Sequence, residues 1–205
     1  MALKSIRYII NFTIALVLLA VLIPSPVLAK NAQPYTAPLP ALNTFIERVK
    51  NGEPAQLRGV YIPEILAARV IQQPAGKPEF VSPFPNMVTQ FSAAAKLGST
   101  GLLAHNYMTG SNFPLLKKGG KFYLVYGDGL TATFTVTEIL RYQALTSTSP
   151  TSDFVDLKSG AKLSASKLFS KAYNHPGYVV FQTCIAANGN PSWGRMFVIA
   201  KPYVE

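Results

Sequence analysis

Cys184 is the single cysteine of the chain, and it closes a β-rich run, Tyr178-Val179-Val180-Phe181-Gln182-Thr183-Cys184. A Gly/Asn/Pro loop over 187–194 leads from it to Arg195, which opens a second β-rich run, Met196 to Ala200. If those runs are neighbouring strands, the loop returns the guanidinium to the thiol. A thiolate is a strong nucleophile, and a nearby cation or general base activates it. A guanidinium keeps its proton, so Arg195 suits fixed stabilisation of a developing oxyanion or a substrate carbonyl, not proton transfer. His105 ends the short apolar run Gly101-Leu102-Leu103-Ala104 and has the side chain that moves protons near neutral pH. Its rival, His175, sits in the turn sequence Asn174-His175-Pro176-Gly177. A strand end is the more rigid platform, so His105 is preferred. Thr183 offers a hydroxyl and a backbone N–H beside the nucleophile. Each residue also has a plainer reading: an inert buried thiol, a turn histidine, a surface charge, an ordinary strand threonine. An odd cysteine in an exported chain favours the reactive one.

Export is read from the amino terminus. Lys4 and Arg7 precede an apolar run from Ile9 to Ile23, interrupted only by Asn11 and Thr13 and ended by Pro24 and Pro26. Val27-Leu28-Ala29 then places small residues where a signal peptidase reads. Residues 1–29 are thus expected to be an N-terminal hydrophobic helix, either a cleaved signal peptide or a membrane anchor, with cleavage favoured. In both cases the positive start stays inside and the rest of the chain lies outside the cytoplasm.

The remaining 176 residues of the 205 support one domain with a substantial core. Hydrophobic residues make up 49% and charged residues 14%, which excludes a disordered chain. The net charge is +10, but the lysines and arginines are scattered, with Lys117, Lys118 and Lys121 the densest group. No basic helix or arginine-rich run marks a nucleic-acid partner. An anionic cell envelope is the better match for the charge. One cysteine excludes an intrachain disulfide, and two histidines with nine acids give no basis for expecting a metal or other cofactor.

These residues must be positioned by β-structure. Residues 30–55 read as a Pro/Ala-rich linker with one short helix, because Leu42, Phe45, Ile46 and Val49 repeat at helical spacing. From 56 to 205 the pattern is many short strands. Leu57 to Ile62 stops at Pro63. The apolar stretch Ile65 to Ile71 ends at Gln72-Gln73-Pro74. Residues 74–86 carry four prolines and form a loop. Phe122 to Tyr126 and Leu130 to Ile139 flank Asp128-Gly129, a strong hairpin signal. Residues 146–171 are Ser/Thr/Lys-rich and read as a long loop with one short helix near Ala165 to Lys171. The fold expected is mostly β, a sandwich or a closed barrel.

The order of these residues resembles the sortase family of cysteine transpeptidases. Val60-Tyr61-Ile62-Pro63 is similar to the family's first strand, and Leu103-Ala104-His105-Asn106 to its histidine strand. Phe113-Pro114-Leu115-Leu116-Lys117-Lys118-Gly119 is similar to the stretch that follows. Gln182-Thr183-Cys184 and Arg195-Met196-Phe197-Val198 are similar to its cysteine and arginine segments. The resemblance runs from about Gln56 to Lys201. It implies an eight-stranded sortase-type β-barrel with short helices. In it Cys184 would attack a peptide carbonyl in a C-terminal sorting signal of an exported protein, and His105 would handle protons. Arg195, with Thr183 beside it, would hold the substrate or the oxyanion. The acyl group would pass to an amine on the cell wall or on another protein subunit. The chain departs from the family at Ala104 and Asn106, where Gly and Arg are common, and at Val180 and Phe181, where Thr-Leu is common. A hydrolase on the same fold, with water as acceptor, and a noncatalytic envelope-binding domain are the rival readings.

Overall fold

The computed structural model describes residues 38–204. The expected hydrophobic N-terminal helix, its processing site and the first part of the linker lie outside the described residues. Among those described, no helix is long and apolar enough to cross a membrane.

Ten strands follow one short helix. Helix α1 (Leu42–Val49) lays Phe45 and Val49 on the first strand, β1 (Leu57–Ile62). Gly59 makes that approach feasible, since a Cβ there would stand 2.7 Å from the Phe45 ring. The chain continues through β2 (Leu66–Gln72), β3 (Met87–Phe91), the single turn α2 (Ser92–Ala95) and β4 (Thr100–Leu103). A 3₁₀ segment, Thr109–Leu115, precedes β5 (Lys121–Tyr126) and β6 (Thr131–Ala144). Two very short strands, β7 (Phe154–Asp156) and β8 (Lys162–Leu163), lead into α3 (Ala165–Tyr173). The chain ends with β9 (Val179–Ala187) and β10 (Asn190–Pro202).

Hydrogen bonding runs β10-β9-β4-β3-β2-β1-β5-β6, and β6 pairs back onto β10. Eight strands therefore close on themselves, and closure leaves no unpaired edge. This is the eight-stranded barrel that the resemblance implied. The β2–β3 and β4–β9 pairs are parallel and the others in the ring antiparallel. Residues 73–86, the proline-rich loop, form the crossover that the parallel β2–β3 pair needs.

Alternation along the strands separates two apolar layers. Leu102, Ala104, Val179, Phe181, Met196, Val198 and Ala200 point into the barrel. Phe181 meets Phe113 of the 3₁₀ segment at 5.1 Å and Phe122 at 5.0 Å, so an aromatic plug fills the interior. Val180, Phe197, Ile199, Leu140 and Tyr142 point outward, where α3 covers them with Leu168, Ala172 and Tyr173. Strand β6 runs five residues beyond its expected end at Ile139. Its outer partner β10 keeps pairing with it, and Tyr142 and Ala144 are buried in the outer layer. Residues 146–171 contain β7 and β8 as well as the expected helix. These two strands extend the sheet beyond β6, outside the closed ring.

Candidate active site

Arg195 and Cys184 are direct partners in the antiparallel β10–β9 ladder. Such partners hold their Cβ atoms about 4.5–5.5 Å apart. On the other side of β9, the parallel β4 ladder matches Leu103 with Gln182, and the Ala104 N–H continues it by donating to the Gln182 carbonyl at 3.2 Å. His105 lies two residues beyond Leu103 and Cys184 two beyond Gln182. Cys184 and Arg195 therefore stand in one row across β9 and β10, on one face, and His105 lies just past the end of β4, the strand on the other side of β9. Val180 is outward on β9 and Phe197 on β10, while Leu102 and Ala104 are inward on β4. Cys184 and Arg195 thus share the outer side of the barrel wall, and His105 leaves the end of β4 beside them. Each is partly exposed.

The histidine segment is held by its backbone. The His105 carbonyl accepts from the N–H groups of Met108 and Gly110, both at 3.0 Å. The buried Thr183 hydroxyl donates to the Ala104 carbonyl at 2.8 Å. The approach requires glycine at 110. A Cβ there would stand 2.6 Å from the Ala104 oxygen and 2.7 Å from the His105 oxygen, and would also strike the Thr183 hydroxyl. The His105 ring stacks on Tyr107 at 5.1 Å and 15°.

Thr183 takes a different place from the one expected of its side chain. It points inward with the odd-numbered residues of β9, is 4% exposed, and uses its hydroxyl on Ala104. Period-two alternation turns this hydroxyl away from the Cys184 face, so of the two groups named in the sequence only the backbone N–H is left for a substrate or oxyanion contact.

Arg195 is fixed by carbonyls. One guanidinium nitrogen donates to the Ser192 and Gly194 oxygens, each at 2.9 Å, and the other to the Ser147 oxygen at 3.4 Å. Three of its five donors are so engaged. Next in the row, on β6, stands Tyr142, the ladder partner of Arg195, and then Asp156 on β7. The Tyr142 hydroxyl is buried with no hydrogen-bond partner among the described residues, and burial raises its pKa. Burial opposes ionisation of Asp156, yet its pKa is lowered, because the Lys158 and Ser159 N–H groups and the Lys171 ammonium at 3.7 Å outweigh burial. Below Cys184 on the same face, Gln182 accepts a hydrogen bond from the buried Tyr173 hydroxyl of α3. Burial pushes the Tyr173 phenol far up.

His175 lies elsewhere. Its Nε2 is bonded to the Lys171 carbonyl at the end of α3, at 3.0 Å, and its ring stacks on Tyr178. Sequence reasoning missed Asn106 as a structural element of the site. Its amide reaches the Pro191 carbonyl, 85 residues away, and no local pattern signals such a contact. An apolar cavity of about 260 Å³ is lined by Ile62, Ile65, Leu116, Phe122 and Val136, with Lys117 and Lys121 at its edge, and includes none of the row residues. Among the described residues, no group of three or more His, Cys, Asp or Glu side chains gathers as a metal site.

No family model matches the chain, and no curated protein matches it. Among the solved structures it is similar to are sortases. Sortase A from Corynebacterium diphtheriae is 14% identical over 75% of this chain, with a TM-score of 0.47. Sortase C-1 from Actinomyces oris is 14% identical over 82% of this chain and 83% of its own, with a TM-score of 0.48. Sortase C1 from Streptococcus suis is 16% identical over 80% of this chain and 79% of its own, with a TM-score of 0.48. The chain spans 63% of the length of the Corynebacterium sortase A.

Proposed function

We propose that the protein is a sortase-like cysteine transpeptidase acting outside the cytoplasmic membrane. The observation that supports this reading is the pairing of Cys184 with Arg195 across β9 and β10, with the parallel β4, at whose end His105 stands, bonded along the other side of β9. The Cys184 thiolate attacks the carbonyl of a peptide sorting signal. The tetrahedral oxyanion forms beside Arg195, whose fixed charge stabilises it without reorganisation. His105 gives a proton to the leaving amine as the C–N bond breaks, leaving a thioester on Cys184. An acceptor amine then attacks the thioester. His105 takes its proton, the new amide forms, and the thiolate is released. Water in place of the amine gives hydrolysis.

The test uses labelled peptides carrying candidate sorting motifs, with and without added amines. The wild-type chain should cleave such a peptide and form a mass-detectable thioester at Cys184, and the product should shift to the amide as amine is added. Cys184→Ala should abolish cleavage. Cleavage by Cys184→Ala at the wild-type rate defeats the reading. Product that ignores amine supply restricts the enzyme to hydrolysis.

A further inference from the structure

We propose that Asn106 is a positioning residue for this site. Its side-chain amide ties the β9–β10 hairpin to the histidine segment and so sets the separation of His105 from Cys184 and Arg195. The catalytic consequence rests on the function proposed above; the tie itself does not.

Three observations carry it. First, Asn106 Nδ2 donates to the Pro191 carbonyl at 2.8 Å. Asn106 follows His105 directly, and Pro191 lies on β10, so the bond passes across the extension of β9, the strand that carries Cys184. No backbone ladder joins β4 to β10, because β9 lies between them. Second, the hairpin needs such a tie. The β9–β10 register shifts between Asn190 and Gly194, so residues 191–193 fall outside the regular ladder. Side-chain bonds hold that stretch instead. Asn190 Nδ2 donates to the Ser147 hydroxyl at 2.9 Å, the Ser192 N–H donates to Asn190 Oδ1 at 2.9 Å, and Arg195 donates to the Ser192 carbonyl. Third, those bonds connect the hairpin only to itself and to the β6–β7 loop. Asn106 supplies its connection to the histidine side. Without it the hairpin stays fastened at Arg195 and Ser147 but is free to move away from His105. The loss then falls on geometry within the row rather than on the barrel.

The chemistry of the bond makes it testable by an isosteric change. The acceptor is a carbonyl, so only a donor satisfies it. Asn106→Asp keeps the shape, removes the donor and sets a carboxylate against the carbonyl. Asn106→Gln keeps the amide on a longer stem. In the full chain, hydrogen–deuterium exchange of the 188–193 segment, thermal midpoint, kcat and KM on a cleaved peptide, and the ratio of Cys184 alkylation by a bulky maleimide to that by iodoacetamide are compared. Asn106→Asp should speed exchange in 188–193, lower kcat at least tenfold with KM changed less than threefold, and raise the alkylation ratio at least threefold, with the thermal midpoint lowered by no more than the loss of one hydrogen bond explains. Asn106→Gln should recover a large part of each loss. Hairpin exchange and alkylation at wild-type values in Asn106→Asp overturn the proposal. So does a loss of kcat matched by a lowered thermal midpoint and faster exchange throughout the barrel. If the wild-type chain cleaves no peptide, the function proposed above fails, and exchange and alkylation alone decide whether Asn106 positions the thiol.

Discussion

The chain has two histidines, and their surroundings share more than their sequences suggest. Each ring stacks on a nearby tyrosine, His105 on Tyr107 at 5.1 Å and His175 on Tyr178 at 5.5 Å. Each is partly exposed. The difference lies in what holds the residue. His175 has a ring nitrogen bonded to the Lys171 carbonyl, so its imidazole closes the end of α3. His105 is held through its backbone, by Met108 and Gly110 on its own carbonyl and by the Thr183 hydroxyl on the preceding one. A stacked tyrosine therefore does not distinguish the two. What does is that His105 follows the strand paired with the Cys184 strand and has a backbone fixed independently of its ring.

The strongest way to break this contrast is His105→Ala. A positioned general acid–base group contributes on the order of 10²–10⁴-fold, so peptide cleavage by this variant should fall by about that factor while its urea midpoint stays near wild type. Steady-state kinetics beside an unfolding curve checks both halves. A fall below about threefold would leave His105 no better placed than His175.

A smaller effect is expected from Gly110→Ala, which tests the claim that backbone packing holds His105. The added methyl would meet the Ala104 and His105 carbonyl oxygens at 2.6 and 2.7 Å, and neither can turn aside as a side-chain end would. Overpacking of this kind costs about 1–3 kcal/mol. Urea denaturation should show that loss, and activity should drop further than the fraction unfolded explains. Unchanged activity in the folded fraction would show that His105 tolerates a shifted backbone.

The barrel was largely legible in the sequence, and the row only in part. The alternating threonines of β6, the Asp128-Gly129 hairpin and the helical spacing at Leu42–Val49 each follow from local chemistry, and each element is present. Strand β3 was not legible: Met87–Phe91 follows a proline-rich loop and is supported by β2 and β4, not by its own pattern. The 3₁₀ segment contains Gly110 and Pro114, so locally it reads as loop; its shape comes from Phe113 entering the barrel. For the site, residue types pointed to Cys184, His105 and Arg195. That the His105 segment comes to the Cys184 strand required the parallel β4–β9 pairing, a contact between segments some 79 residues apart in chain order, as in the bond from Thr183 to Ala104. The inward turn of Thr183 followed once the parity of β9 was known.

Asp156 sharpens the comparison from the His175 side. Burial works against its charge, but the Lys158 and Ser159 N–H groups and Lys171 lower its pKa below the ordinary 3.8. A carboxylate depressed in the folded state stabilises above its unfolded pKa, and that stability is lost as pH falls through the folded value. Wild type should therefore exceed Asp156→Asn in urea midpoint at pH 6, with the gap closing as the pH is taken below about 3.8. A gap independent of pH would assign the effect to packing rather than charge. Because Asp156 reaches α3 through Lys171, any loss should appear as exchange in the helix and leave the segment around His105 protected.

The smallest effect belongs to His175→Ala. It removes one hydrogen bond to the last turn of α3 and one stacked ring. A typical net hydrogen bond is worth about 0.5–1.5 kcal/mol, and the ring lies at the margin of the outer apolar layer, where Tyr178 already packs against the cluster. The variant should lose about that much stability and keep wild-type kcat, since nothing joins Nε2 of His175 to the row. The two histidine variants thus form a crossed pair, one losing turnover with little stability and the other stability with little turnover. Should His175→Ala lose turnover as severely as His105→Ala, the stacked tyrosine would become the common cause. Tyr107→Leu and Tyr178→Leu, each removing one stack and leaving a smaller apolar side chain, would then decide which ring depends on its partner.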